Sequence, residues 1–290
     1  MSEQLRALVS SDHQAVIELC MGIWGGNDYI PHLFPQWFSD KLNHPFGIFN
    51  GDTLEAIANL EIKPDSKTAW IKGLRVREAQ RRKGYASRLI NHLIQGAEEI
   101  GLETLHYATS SRNIASMKVA ENLGFKLKND IRYFRLEPPF PPHPKPSPSI
   151  NPLQVGPERL HDILENSDII PIDTFAIRWE FHKKDVNSLT AILEQEKAQV
   201  VVGEAGNVES LSFFSSFERD GQKTTVFSIF STNRTIFVDV FSRALDYLEA
   251  TKTERAAFFL GPRVEQWVEY IIEIPKEFRE RRFILYEMKL

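Results

Sequence analysis

Between residues 69 and 100 an apolar run passes through a basic turn with a single glycine and straight into an amphipathic pattern. The run closes on Gly73-Leu74-Arg75-Val76. The turn is Arg77-Glu78-Ala79-Gln80-Arg81-Arg82-Lys83-Gly84, and Tyr85-Ala86-Ser87 follows at once. Tyr85, Leu89, Leu93 and Ala97 then recur at four-residue spacing, the buried stripe of a helix over residues 84–100 that Gly101 ends. A strand feeding a helix this abruptly leaves the first helical amides without intrahelical partners at the positive end of the helix dipole. Gly84 and Ala86 are too small to keep an anion off those amides. Arg81, Arg82 and Lys83 add full positive charge, so the segment predicts a diphosphate pocket.

Neither of two common phosphate loops fits. A Walker loop needs an earlier glycine and a Gly-Lys-Ser/Thr end, and a dinucleotide fingerprint needs three spaced glycines. The pattern Arg81-x-x-Gly84-x-Ala86, preceded by Leu74-x-Val76, resembles the signature of the GNAT superfamily of acetyl-CoA-dependent N-acetyltransferases. A second segment agrees in order and spacing: a strand over 102–109, then Asn113-Ile114-Ala115-Ser116, then Leu123-Gly124-Phe125. The resemblance implies a GNAT fold, a mixed, splayed central sheet flanked by helices. It also implies acetyl-CoA as co-substrate. The diphosphate would lie on the amides of Arg81, Arg82, Lys83, Gly84, Tyr85, Ala86 and Ser87. The pantetheine arm would run along Leu74, Arg75 and Val76, with Asn113 and Ser116 completing the site. Gly73 suits a bulge that opens the strand.

The 290 residues suffice for two domains. Prolines crowd residues 138–157, from Pro138 and Pro139 to Pro152 and Pro157, and such density favours an extended connector. The expected division is a GNAT domain at 1–137, a proline-rich linker at 138–157, and a second α/β domain at 158–290. In the second half, helices are expected near 157–166, 186–195, 235–251 and 263–272, and strands at 199–204, 210–217, 224–231, 256–260 and 283–289. That order resembles a second, degenerate GNAT-like domain in which Ser231-Thr232-Asn233-Arg234 replaces the phosphate turn.

The net charge of −4 argues against a general nucleic-acid partner. The single Cys20 excludes an internal disulfide framework and a cysteine zinc cluster, and no metal is expected. No apolar run approaches the ~20 residues of a membrane span. Met1-Ser2-Glu3-Gln4 opens no secretory signal. These features set the expectation of a cytoplasmic protein without membrane partners; they leave the oligomeric state open.

An acceptor amine must lose a proton to attack a thioester, and a carboxylate or histidine near the splay would take it. Glu61, on the strand beside the phosphate strand, is the first candidate, and His106 the second. In the GNAT pattern a tyrosine seven residues after the motif Asn protonates the leaving thiolate; here that position is Ala120. Tyr133 or Tyr107 is the expected substitute, or water serves, since a CoA thiolate leaves tolerably without help. The early segment Trp24-Gly25-Gly26-Asn27-Asp28-Tyr29-Ile30-Pro31 and the later Trp37 offer charge and aromatic faces for an acceptor. Trp24, Gly26, Asp28, Tyr29 and Trp37 are the candidate acceptor residues. Together with Gly-Leu-Arg-Val at 73–76 and a second domain, this segment resembles the histidine N-acetyltransferase group. The implied activity is acetyl transfer from acetyl-CoA to a small-molecule amine, foremost the α-amino group of a free amino acid such as L-histidine, by direct attack through a tetrahedral intermediate. Two alternatives stand beside it: a protein or peptide N-acetyltransferase, and a non-catalytic acyl-CoA sensor or scaffold, the latter suggested by Ala120.

Overall fold

A computed structural model describes residues 3–23, 28–64, 67–219 and 221–290. The first half runs β1 (Glu3–Ala7), α1 (His13–Cys20), α2 (Ile30–Leu33), β2 (Asn43–Asn50), β3 (Thr53–Ile62), β4 (Thr68–Val76), α3 (Tyr85–Glu99), β5 (Thr104–Ser110), α4 (Ile114–Asn122) and β6 (Lys126–Leu136). The second half runs β7 (Leu153–Gln154), α5 (Pro157–Asn166), β8 (Thr174–Ile177), β9 (Glu180–Lys183), α6 (Val186–Leu193), β10 (Lys197–Val202), β11 (Val208–Arg219), β12 (Gln222–Ser231), α7 (Arg234–Ala250), β13 (Arg255–Leu260) and β14 (Arg282–Lys289).

The chain forms two compact units. The first holds Met1–Thr109, Asn113–Lys128 and Leu285–Leu290; the second holds Ser110–Arg112 and Asn129–Ile284. These cuts differ from a division at 137 and 157: most of β6 counts with the second unit and most of β14 with the first. In the first unit β1, β2, β3 and β4 follow one another as antiparallel neighbours. β5 lies parallel to β4, and β14 is the next strand beyond β5. Leu290 N donates to Glu103 O at 3.1 Å. One face of this sheet is closed by a cluster that includes Val16, Leu19 and Cys20 of α1 with Ile30, Phe34 and Trp37. The stripe expected on α3 is buried, Leu89, Leu93 and Ala97 each at 1% exposure or less.

In the second unit the order is β6-β13-β12-β11-β10-β7. β12 and β13 run parallel and the other neighbours antiparallel. Phe237, Phe241, Leu245 and Leu248 of α7 are fully buried. The helix expected at 263–272 does not form; turns and a 3-10 segment at Val268–Tyr270 stand there. Val264, Val268 and Ile272 are buried at four-residue spacing and mimic a helical stripe. Yet the amides of Val264, Trp267, Tyr270 and Ile271 bond three residues back, so successive tight turns satisfy the backbone. The short strands β1, β8 and β9 had no period long enough to be read from sequence.

The proline-rich segment is docked rather than free. Val155 N donates to Ala198 O at 3.1 Å, and Leu153–Gln154 pairs with β10. Ser147 N donates to Asp239 of α7, while Arg243 Nη2 donates to Ile150 O at 2.7 Å. His143 Nδ1 lies 3.0 Å from Pro141 O and its Nε2 3.0 Å from Asp246 Oδ1. Both neighbours are oxygens that accept, so the imidazolium, with a proton on each ring nitrogen, satisfies both contacts. Burial opposes that charge, but Asp246, the Pro141 carbonyl and Glu249 outweigh it and raise the His143 pKa. A raised folded-state pKa stabilises the docking below the ordinary histidine range near ~6.5 and loses that contribution as pH rises through the raised value. In an NMR titration His143 should show a midpoint above that of a free histidine, and Asp246→Asn should bring it down. Cleavage by a protease within 138–150 should speed up as pH rises through the midpoint; a pH-independent rate would contradict the tie.

Candidate active site

The turn before α3 is shaped from β3. The Arg77 amide donates to Glu55 O at 2.8 Å, and Arg77 Nη2 donates to Leu54 O at 2.9 Å. The buried Glu55 carboxylate holds Arg77 Nε at 3.0 Å and accepts from Gln80 Nε2 at 3.2 Å. Beyond the 3-10 turn at Glu78–Gln80, Arg82 has φ +65° and Gly84 φ +83°. A Cβ on Gly84 would meet nothing within 4 Å, so this is open space entered with a backbone conformation that favours glycine. No side chain caps α3, and the first helical bond runs from Arg88 N to Gly84 O at 3.0 Å. The amides of Tyr85, Ala86 and Ser87 therefore have no intrahelical partner. Arg81, Arg82, Lys83 and Gly84 are exposed. Tyr85 is buried, its hydroxyl donating to Glu3, which Arg88 Nη1 also holds at 2.5 Å. An uncapped helix start, open space and three exposed cations suit a diphosphate.

The sheet opens beside this turn. β4 and β5 pair from Thr68↔Thr104 to Ile71↔Tyr107, and β4 then runs on to Val76 paired with β3 but not with β5. Its register with β3 jumps from Asn59↔Lys72 to Ile57↔Arg75, so two residues of β4, Gly73 and Leu74, stand against one of β3. Gly73 has φ +68°, and a Cβ there would lie 2.9 Å from Trp37 Cη2 and 3.1 Å from Ile30 Cδ1. Because the Arg77 amide points to β3, alternation along the strand turns the amide of Val76 toward the open side.

A buried ion pair braces the bulge. Arg75 Nε donates to Asp28 Oδ2 at 2.5 Å and Nη2 to Asp28 Oδ1 at 2.9 Å, with side-chain exposures of 11% and 1%. Asp28 Oδ1 also accepts from Ile30 N at 3.1 Å, and the guanidinium sits 5.1 Å from the centre of the Tyr29 ring. Burial opposes the Arg75 charge, yet the bonds to Asp28 dominate and its pKa is raised. Burial, then the Asp28 charge, push the Cys20 thiol up to about 12, which leaves it no nucleophile.

Tyr107, the last residue of β5 paired with β4, lies at the base of the opening and shares a hydrogen bond with Ser116 of α4. Burial raises its pKa, against the Ser116 bond and the Arg75 charge. Asn113 caps α4, its Oδ1 accepting from Ser116 N at 3.2 Å. Ala120 is buried on the same helix, and Tyr286 of β14 donates to its neighbour Glu121 at 2.8 Å. Burial and the Glu121 bond push the Tyr286 phenol up to about 12.

The first unit thus brings Asp28, Tyr29 and Trp37 together with Leu74, Arg75 and Val76. Trp24 and Gly26 lie outside the described residues. Glu61 stands apart from this cluster, with Lys63 Nζ at 2.5 Å on one oxygen and Lys72 Nζ at 2.5 Å on the other. His106 Nε2 lies 3.1 Å from Glu287 Oε2. Tyr133 belongs to the second unit, where its hydroxyl donates to Ser110 Oγ at 3.1 Å and its ring stacks on Phe259. The sequence held no signal for Tyr286, which arrives from a strand nearly the whole chain away, nor for Arg75 as the partner of Asp28. Among the described residues no group of three or more His, Cys, Asp or Glu is placed to hold a metal, and no helix is long and apolar enough to cross a membrane.

Within the second unit the corresponding helix start and strand pair are both closed. Asn233 caps α7 with its own side chain, accepting from Thr235 N at 2.9 Å and Ile236 N at 3.3 Å. β12 and β13 stay paired from Thr224↔Arg255 to Ile229↔Leu260.

Residues 6–125 match the acetyltransferase (GNAT) family. A histidine N-acetyltransferase of Xenopus tropicalis is 23% identical over 185 residues, 58% of this chain and 56% of that protein. The chain therefore spans little more than half of that relative's length. A tandem GNAT protein from the clavulanic acid biosynthesis pathway superposes with a TM-score of 0.64 at 11% identity, covering 99% of this chain and 98% of the other. A GCN5-related N-acetyltransferase from Sphaerobacter thermophilus gives 0.65 at 14% identity, covering 99% and 95%. Both likenesses concern the fold, a GNAT-like architecture in each half.

Asp28→Ala leaves the Arg75 guanidinium buried without its carboxylate and should cost about 3–5 kcal/mol in chemical denaturation. The double variant Asp28→Ala/Arg75→Met should recover much of that loss. A single-variant cost within ~0.5 kcal/mol of zero would remove the pair as the brace of the bulge.

Proposed function

Taking residues 6–125 as a GNAT acetyltransferase domain, we propose that the protein is an acetyl-CoA-dependent N-acetyltransferase acting on a small-molecule amine. The leading acceptor is the α-amino group of a free amino acid such as L-histidine. The observation that carries this reading is the pairing, in one unit, of an uncapped start of α3 with a strand edge left open beyond Ile71. The amides following Gly84, with Arg81, Arg82 and Lys83 around them, would hold the diphosphate of the co-substrate. Leu74, Arg75 and Val76 would offer main-chain bonds to the pantetheine arm. The amide of Val76 would then meet the negative charge that develops on the carbonyl oxygen, usually a large contribution to rate.

The acceptor would approach from the side walled by Tyr29 and Trp37. Asp28 acts here through Arg75, because its carboxylate is already engaged by that guanidinium. We assign the proton of the leaving thiol to Tyr107 rather than Tyr133, since Tyr107 sits where the pairing of β4 and β5 ends. Asn113 and Ser116 would act through it, Asn113 by fixing the start of α4 and Ser116 by orienting the phenol. Glu61 would take the acceptor's proton through water, because Lys63 and Lys72 face both of its oxygens. The histidine acceptor is supported by the distant Xenopus relative and by the acceptor-side segment around Asp28 and Tyr29. Ala120 favours one second reading, a unit that binds acyl-CoA without turnover.

Incubation with acetyl-CoA and a panel of free amino acids, with thiol release followed, should show rapid turnover with one of them. Coenzyme A bound without turnover on any amine or peptide would select the sensor instead. Tyr107→Phe should lower kcat about 10²-fold and leave the KM for acetyl-CoA unchanged. Gly84→Val should weaken coenzyme A binding about tenfold or more in calorimetry, because it strains the turn and covers the amides. Full affinity in that variant would move the diphosphate elsewhere.

A further inference from the structure

The second unit has a cavity of about 550 Å³ on the α7 face of its sheet, under the docked proline-rich segment. Its volume lies within the range of small-ligand sites, ~300–1,000 Å³. The start of α7, which Asn233 caps, does not line it, and the β12 residues that do, Phe227 and Ile229, lie where β12 is paired with β13. The cavity is therefore not a remnant of the diphosphate cradle.

Its walls are aromatic. Phe214 and Phe227 stack at 5.8 Å with 22° between their planes, and Tyr247 meets Phe214 edge-on at 5.6 Å. A third flat ring has both a face and an edge to meet there. The roof is built from Pro146 and Pro152. It is held down by Asp239, whose side chain is 5% exposed, through Ser147 N and through Arg243 Nε at 2.6 Å. Arg243 fixes the roof further by donating to Ser147 O at 2.5 Å and Ile150 O at 2.7 Å, both from Nη2.

The polar groups of the lining are biased toward donation. Arg243 Nη1 has no partner among the described residues, and the same holds for the side chains of Gln199 and Ser212. The acidic group of the lining, Asp246, already faces the His143 ring. A ligand entering this space meets stacked rings on one side and unused N–H and O–H groups on the other.

We infer that this cavity is a binding site for a small flat aromatic acid, its ring against Phe214, Phe227 and Tyr247 and its carboxylate toward Arg243, Gln199 and Ser212. The site is independent of the acetyl-transfer reading. It gives the second unit a ligand of its own in place of the co-substrate.

The test uses the full chain, with naphthalene-2-carboxylate as probe and 2-naphthylmethylamine as its charge-reversed control, in calorimetry and ligand-observed NMR. The acid should bind at one site per chain with a Kd below about 1 mM and at least tenfold more tightly than the amine. Saturating coenzyme A should not displace it. Ala244→Phe, which fills the cavity from α7, should weaken binding at least tenfold while leaving coenzyme A binding unchanged. If that variant does not fold, ring-proton shifts of Phe214 and Phe227 in the native chain decide: movement on titration supports the site, and silence there overturns it. No saturation below about 5 mM, equal binding of acid and amine, displacement by coenzyme A, or full affinity in a folded Ala244→Phe would each overturn it.

Discussion

The extra residue in β4 is the constraint on which the first unit depends. Gly73 and Leu74 stand against a single residue of β3, and the change of register turns the end of β4 away from β5. A sheet edge left open in this way is normally a liability, because unpaired amides and carbonyls invite another strand. Here the edge is held open by packing: Trp37 and Ile30 press on Gly73 where a Cβ would stand, and the Asp28–Arg75 pair ties the residue that precedes Tyr29 and α2 to the strand just beyond the bulge. The second unit is an internal control. Its parallel strands β12 and β13 pair without interruption, and the helix that follows β12 is capped by its own asparagine. The same architecture thus exists in one chain with and without the two openings, so local backbone features rather than the fold distinguish the two halves.

A buried ion pair is a poor source of stability when measured against apolar residues of the same size, because both charges lose water. Asp28–Arg75 is therefore better understood as a geometric device. The guanidinium fork matches the carboxylate in one orientation only, and Asp28 also receives the amide of Ile30. That combination fixes the first turn of α2 and the strand after the bulge relative to one another. Arg243 works on the same principle in the second unit, where it joins Asp239 to the carbonyl groups of the proline-rich segment.

The strand–turn–helix of the phosphate region was legible in sequence because its signals are local: a β-branched run, a glycine that must take positive φ, and a four-residue stripe. The segments Asn113-Ile114-Ala115-Ser116 and Leu123-Gly124-Phe125 were legible for the same reason, although the cap that Asn113 makes was not among the expectations. The bulge at Gly73 was readable as a position but not as a geometry, since its brace comes from Trp37 and Ile30, far away in sequence. Val264, Val268 and Ile272 show the opposite failure: a helical period was present, and three-residue turns satisfied the backbone first. The roles expected of Glu61 and Tyr133 depend on what lies near them in space, and no spacing in the chain announces the lysines beside Glu61 or the membership of Tyr133 in the second unit.

Residues 285–290 count with the first unit, so the proposed catalytic module is not a contiguous stretch of chain. Leu290 bonds to Glu103, Lys289 reaches Thr104 at 2.9 Å, and Glu287 faces His106. That spacing places Tyr286 across from Tyr107, with both phenols directed to α4, one on Ser116 and the other on Glu121. The strand is thus part of the wall that carries the proposed acid. A segment ending near residue 137 would expose the edge of β5 that β14 covers and remove the cross-strand neighbour of Tyr107, since antiparallel pairs of this kind stabilise one another directly. The second half of the chain therefore contributes to the first by supplying its last strand, whatever else its own unit binds.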